Sequence, residues 1–544
     1  MLKKDIDYKK CLVIAAAFIL LRLFIASQQM VFIMPYSAPL DDDLYFNLAN
    51  SIVSGNWLGE YNFLTLSKYP FFAVYLAALH TLKIPYLVGN CIMLIIGGAL
   101  TVVCFAPILK TNWSKLALFL VFIYNPATYT SYNLRVYRDA IFPLLCTMFF
   151  VGLAGWALRL KKDIKQNIGF LVLAGVALGT AYITREDGYW LFPFAIVAVI
   201  ICAVYIFTDK NLDKKLLRIL SMGIPGLITA IFVITICSIN NKYYGEFILT
   251  DFNSGSFASC YGAMTSLSQE NWRPLVVVPE DVRERMYEGC ESFAPFEEYL
   301  EDGPIERGYK SKELGDYQAG SFYWRLRRTA QELGVYENAQ KADEFWSQLE
   351  SEIERLWEKD ENALPLRSSL TPPIKLEYVG PVINDALRSM VKVMTWYDVD
   401  SYQGSLSDLS TGQIEKWESF LHNKSNYSAI ENTDIPYHTP IQNICYKFLD
   451  GVTWIYRVFT IPLLVFAFVQ IFRIFAKFKN QNFEKQIMAF VLLGFVLMAV
   501  FRIFIISFME IAAFNIGFYT MYLGAVYPLM VLVCFFGIIL YKEN

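Results

Sequence analysis

Apolar runs long enough to cross a bilayer recur near 12–33, 86–109, 116–132, 139–158, 167–184, 188–208, 217–239, 452–472, 486–506 and 516–540. One further apolar piece, from Tyr69 to Leu82, is shorter. At about 1.5 Å per residue it reaches roughly 21 Å, against a hydrocarbon core of about 30 Å. Between 240 and 450 the pattern becomes mixed. There Tyr336–Lys359 repeats Trp346, Leu349, Ile353, Leu356 and Trp357 on one helical face, until Pro365, Pro372 and Pro373 break it. The stretch after Gly404, rich in Ser and Asn, shows little periodicity.

Basic residues decide how the short piece is counted. If it does not span, Lys110 and Lys115, the 159–165 cluster, the 210–218 cluster and the 473–485 cluster all fall on the side of the N-terminal lysines. That is the cytoplasmic side by the positive-inside rule. The chain is therefore expected to be all-α and polytopic, with about ten spanning helices, both termini cytoplasmic, and 69–82 lying on the outer surface. Three parts follow: a transmembrane module over 1–239, with its first outer loop at 34–85; a mainly helical, soluble, extracytoplasmic insertion over 240–450; and a three-helix transmembrane module over 451–544. About 210 residues suit one compact domain for the insertion. The first apolar run is too long for the core of a secretion signal and lacks a small-residue cleavage site, so it reads as a retained helix.

Composition agrees with this picture. Mean hydropathy is +0.37, with 55% hydrophobic and 18% charged residues, as in an integral membrane protein that carries a soluble portion. A net charge of −3 gives no basis for nucleic-acid binding. The ten cysteines form no CxxC pair, although Cys260 and Cys290 are placed to bridge if the insertion is exported.

With topology set, the charges left in the short outer loops stand out. Asp41, Asp42 and Asp43 open the first loop. A carboxylate there serves as general base on an acceptor, or the acids cap the helix that starts near Leu44, with Asp43 as cap and Asp41 or Asp42 as base. Arg135 and Arg138, three apart, point to one face if helical and grip a phosphate, or else snorkel beside Asp139. Thr184–Gly188 packs Arg185, Glu186 and Asp187 into a tight turn ahead of Trp190, which reads either as part of a site or as a solvated turn with an interfacial anchor. Lys68, just before Pro70, is placed to touch a phosphate or to sit at the membrane surface. Arg22 and Arg502 lie inside apolar runs, where ionisable groups are functional by default; Arg502 is near the outer boundary, and Arg22 has no evident role.

There is no Walker loop, GxGxxG turn or HExxH. His80, His422 and His438 are too scattered for a histidine-built metal centre, while Mg²⁺ or Mn²⁺ on the aspartates remains open. A cluster facing away from the cytoplasm is poorly placed for a nucleotide-sugar and well placed for a donor carried on a membrane lipid phosphate.

These residues resemble the GT-C superfamily of integral-membrane glycosyltransferases, which includes protein O-mannosyltransferases and the lipid A aminoarabinose transferase. The resemblance rests on an acidic pair in the first outer loop, a Lys-x-Pro surface helix at Lys68–Pro70 and arginines in later outer loops. The chain is most similar to bacterial GT-C-like proteins through Asp41-Asp42-x-Leu44-Tyr45, Gly55-x-Trp57-Leu58-Gly59, Arg135-x-x-Arg138-Asp139 and Thr184-Arg185-Glu186-Asp187-Gly188. Relatives carry an Asp-Glu-like pair and Lys-Pro-Pro, so the acidic register here is either Asp41-Asp42 or Asp42-Asp43. The resemblance implies an inverting glycosyltransferase of the cell envelope that moves a sugar from a polyprenyl-phosphate donor to an extracytoplasmic glycan, lipid or protein. Asp41 or Asp42 would be the base. Arg135, Arg138, Arg185 and Lys68 would hold the donor phosphate, with Asp43, Asp139, Glu186, Asp187 and Arg502 supporting. The rival classes are a lipid-substrate transporter or flippase, which would place charges near the midplane, and a non-catalytic envelope assembly protein.

Overall fold

A computed structural model describes residues 2–33, 38–267, 273–302, 309–358, 374–401, 411–425, 439–515, 517 and 519–542. The expected break at Pro365, Pro372 and Pro373, the stretch 402–410 and His438 lie outside them. The fold is all-α: among the described residues the only strands are Lys310–Ser311 and Asp316–Tyr317, paired antiparallel.

Among the described residues, eight helices are long and apolar enough to cross a membrane: Asp7–Gln28, Tyr86–Phe105, Arg138–Ala157, Ile164–Tyr182, Gly188–Thr208, Lys215–Tyr244, Pro440–Ala476 and Phe483–Phe514. The two remaining expected spans, 116–132 and 516–540, are occupied by shorter apolar helices, Asn112–Ile123 and Val526–Tyr541. The first stops early because of Asn125-Pro126. The Asn125 side chain accepts from the Ala127 N–H, and Pro126 opens a tight 3₁₀ turn that cannot continue the ladder. Free carbonyls at such a depth need donors. Arg22 supplies them, its Nε donating to the Ile123 carbonyl and its Nη2 to the Thr128 carbonyl, each at 3.2 Å. That is the role the sequence left unassigned.

Phe71–Thr81, eleven residues long, starts directly after Pro70 and packs Phe72, Leu76 and Leu79 inward. It is too short to cross a core of about 30 Å. Small residues let the long helices approach closely. A Cβ on Gly537 would come within 2.7 Å of the Ala467 backbone, and one on Gly152 within 2.9 Å of the Ala174 nitrogen. Helix Ile224–Tyr244 ends at Gly245, whose φ of 82° is left-handed.

The insertion contributes to two cores. Residues between Phe257 and Ile353 bury their own aromatic cluster around Trp346, Phe293 and Phe322. Within it, Ala339–Trp357 is helical with Trp346, Leu349 and Ile353 buried, as its periodicity predicts. Helices Leu376–Thr395 and Thr411–Leu421 instead add Ala386, Val393, Trp417 and Phe420 to the core of the helical bundle. Cys260 and Cys290 are both free and buried, so the expected bridge is not formed.

Candidate active site

Segments 38–70, 124–139, 183–187 and 519–525 gather at one end of the bundle. There the charged side chains form three neighbouring groups of ion pairs: Lys68, Asp41, Arg135 and Asp42; Arg138 and Glu186; and Asp139, Arg185, Asp187 and Arg502. Asp41 and Asp42 sit on a single π-helical turn, Pro39–Asp43, which runs straight into helix Leu44–Val53. This winding sends the two neighbouring carboxylates to different partners.

Asp42 is fully buried, and its Oδ1 lies 2.8 Å from Arg135 Nε and 2.6 Å from Arg135 Nη2. Asp41 keeps 35% of its side chain exposed. It pairs with Lys68 Nζ, accepts a hydrogen bond from the Tyr137 hydroxyl at 3.1 Å, and lies 3.8 Å from Arg135 Nη2. Burial pushes the Asp41 carboxyl up, but the charges of Lys68 and Arg135 outweigh it and hold the group at about 2. Burial draws Lys68 below its usual value despite Asp41. Burial also pulls on Arg135, but the Asp42 carboxylate prevails and raises it.

Arg138 Nη1 meets both Glu186 carboxylate oxygens, at 2.5 and 2.6 Å. Arg185 pairs with Asp139 on one side, and on the other its Nε and Nη2 donate to Asp187 at 3.1 and 3.0 Å. Arg502, fully buried in helix Phe483–Met509, places Nη1 2.5 Å from Asp187 Oδ2 and donates to the Tyr522 carbonyl. Burial works against the charge on Asp187, yet Arg185 and Arg502 together hold its carboxyl well below the usual range.

Ten of the eleven residues picked out by sequence therefore meet. The exception is Asp43. Its carboxylate accepts from Asn47 Nδ2 at 3.0 Å and makes no capping bond, because the π turn already continues into the helix it would cap. The shared helical face expected for Arg135 and Arg138 is also corrected. Residues 135–137 are not helical, Arg135 bridges to Phe32, and the two guanidiniums flank the Tyr137 ring at 4.7 and 5.3 Å. Trp190 is buried rather than an interfacial anchor, with the Arg502 guanidinium 5.3 Å from its ring.

Sequence reasoning missed the aromatic wall. Lys68 Nζ lies 5.6, 5.3 and 5.9 Å from the rings of Tyr45, Tyr137 and Trp324. Tyr45 and Tyr137 stand inside the charged motifs themselves, which was the available signal. Trp324 comes from helix Ala319–Glu332 of the insertion, and nothing local marks it.

The aspartates do not fit a divalent cation. Among the described residues no three His, Cys, Asp or Glu side chains group to hold a metal, and Arg135 and Lys68 already occupy Asp42 and Asp41. His80 stacks on Phe420 with ring centroids 4.3 Å apart and lies beside His422, a packing role.

No protein-family profile matches the chain, and neither does any curated protein. Two solved structures of ArnT from Cupriavidus metallidurans are similar to it. The apo form has 12% identity and a TM-score of 0.29. The form bound to undecaprenyl phosphate has 10% identity and a TM-score of 0.28. Each alignment covers 96% of this chain and 77% of that chain. At such TM-scores the likeness carries no argument about chemistry, which rests on the site itself. What fold and site define is an all-α integral membrane protein with a balanced cluster of cations and carboxylates at one end, of whose acids Asp41 is the most exposed.

Proposed function

We propose that the chain is an inverting glycosyltransferase of the GT-C type. It would transfer a sugar from a polyprenyl-phosphate donor to an acceptor on the extracytoplasmic side, with both termini cytoplasmic. One observation carries this reading: Asp41 is the most open acid of this cluster, with 35% of its side chain exposed, within contact of Lys68, Tyr137 and Arg135.

The charge balance of the cluster suits that chemistry. Lys68, Arg135, Arg138, Arg185 and Arg502 face Asp41, Asp42, Asp139, Glu186 and Asp187, so the cluster is neutral at rest. In the proposed step the acceptor oxygen forms a bond to the anomeric carbon from the face opposite the phosphate. The carbon–oxygen bond to phosphate breaks with its electron pair, and the acceptor proton passes to Asp41. Protonating Asp41 leaves the cluster one unit positive just as the leaving lipid phosphate gains a negative charge. Preorganised cations aimed at charge that develops in the transition state are usually the largest single contribution to catalysis.

A base held at about 2 is weak in the resting site. Donor phosphate competing for Lys68 and Arg135 would loosen their hold on Asp41 and raise its basicity, coupling donor binding to base activation. Asp42, sealed under Arg135, would position that guanidinium rather than touch substrate. Trp324 brings the insertion to the edge of the site, where an aromatic face suits a sugar ring.

The test is transfer from radiolabelled polyprenyl-phosphate sugars to envelope acceptors by the full-length protein in lipid nanodiscs. Wild type should move label and Asp41→Asn should lose about 10²–10⁴-fold of the rate. Full activity in Asp41→Asn would reject the assignment of the base. Movement of intact donor across the bilayer, with no transfer to any acceptor, would replace the reading with transport.

A further inference from the structure

Helix Leu376–Thr395 belongs to the insertion, yet it lies against the long helices Pro440–Ala476 and Phe483–Met509. It is absent from the segments apolar enough to cross a membrane. Its surface divides three ways. Tyr378, Ala386, Ser389 and Val393 are buried against the bundle, and the Tyr378 ring lies 6.3 Å from that of Phe508. Leu376, Val379, Ile383, Leu387 and Val391 are each between 45% and 93% exposed. At 3.6 residues per turn these five fall within an arc of roughly 120°. The remaining arc carries Glu377, Asn384, Asp385, Arg388 and Lys392.

A helix lying free in water has no reason to present an unbroken apolar stripe. One lying in a membrane surface needs this arrangement: apolar side down, polar side up, and here a third side held by protein. The stripe also continues a surface of the same kind. The neighbouring long helices expose Trp454, Val458 and Phe459 on one and Leu497 and Phe501 on the other.

We propose that helix Leu376–Thr395 lies in the plane of the leaflet beside the charged site, with its apolar stripe among the lipid acyl chains and its Asn384–Arg388 side in the headgroup layer. Its C-terminal end is tied both to the bundle and toward the site. Trp396 Nε1 donates to Thr460 Oγ1 at 2.7 Å, and Asp398 accepts from Thr520 Oγ1 at 3.1 Å while pairing with Lys392. The next residue, Met521, places its sulfur 3.5 Å from Arg135 Nη1. Lipid seated under the helix therefore fixes the depth of Arg135 relative to the bilayer surface. The location of the helix does not depend on the transferase reading.

The experiment attaches a nitroxide to Leu387→Cys and, separately, to Arg388→Cys in the full-length protein in phospholipid nanodiscs, the ten native cysteines being buried. Unlabelled-background wild type is the control. Collision rates with oxygen, which concentrates in lipid, are compared with those of a water-soluble nickel chelate. The label at 387 should favour oxygen several-fold, and the label at 388 should favour nickel. Equal nickel access at both positions would place the helix in water and overturn the proposal. Protection of 387 from both reagents would do so too, by showing that a protein partner or a second copy covers the stripe. None of these readouts depends on catalysis.

Discussion

Two of the buried ion networks among the described residues are built from the same residue types, and they differ in what they leave open. In the insertion, Arg283 is fully buried between Asp316 at 2.8 Å and Glu301 at 2.7 Å, with Tyr287 and Lys310 completing the shell of Glu301. Its members all come from one stretch, 273–317. Burial works against the charge on Glu301, yet Arg283 and Lys310 hold its carboxyl at about 2. At the end of the bundle, Asp41 reaches a similarly low value, but its network is drawn from widely separated segments and its side chain still meets solvent. A depressed carboxylate by itself marks an ion pair. A depressed carboxylate left accessible, with aromatic rings and further cations around it, marks a place where a substrate can enter.

The sharpest way to break this comparison is Asp41→Asn, expected to remove about 10²–10⁴-fold of transfer from a protein that still folds, with its thermal unfolding lowered only by the lost pairing with Lys68. Loss of folding instead would put Asp41 in the same class as Asp316. Next come the two bracing arginines. Removing one partner of a buried pair leaves an uncompensated charge and costs about 3–5 kcal/mol. Arg283→Met should therefore destabilise the insertion, read by limited proteolysis within 255–357, with little change in transfer per folded molecule. Arg502→Met should destabilise the bundle, read by thermal scanning in detergent, and should also lower transfer, because Asp187 and Arg185 lose their anchor.

A smaller effect concerns pH. The carboxyl of Asp41 lies below its ordinary 3.8, at about 2, so its pairing contributes stability that is complete above about pH 4 and lost as pH falls through about 2. Wild type should thus lose more stability than Asp41→Asn across that window, measured by acid unfolding at fixed ionic strength. The smallest expected effect is Asp43→Asn. Its carboxylate only accepts from Asn47 on the rim, so transfer and stability should both stay near wild type. A large loss there would shift the acidic register to Asp42-Asp43.

Much of this was legible along the chain. Hydropathy located the long helices, Pro70 marked the start of Phe71–Thr81, and the grouping of the outer-loop charges anticipated the motifs that pack together at one end. The shortening of helix Asn112–Ile123 was not legible, because Asn125-Pro126 ends it within an otherwise apolar run and hydropathy averages over it. Trp324 was hidden for a different reason: its relation to Lys68 exists only across the packing of the insertion on the first loop.

What the sequence determined by itself is the class of the protein and the set of charges that share one end, since both follow from period, length and sign. Tertiary structure alone decided which acid is sealed and which is open. Asp41 and Asp42 are neighbours of one residue type, and no local rule separates them. Their difference comes from Lys68, 27 residues from Asp41, and Arg135, 93 residues from Asp42. Coulomb attraction and desolvation depend on distance and burial in space, and chain order contains neither until the helices have packed.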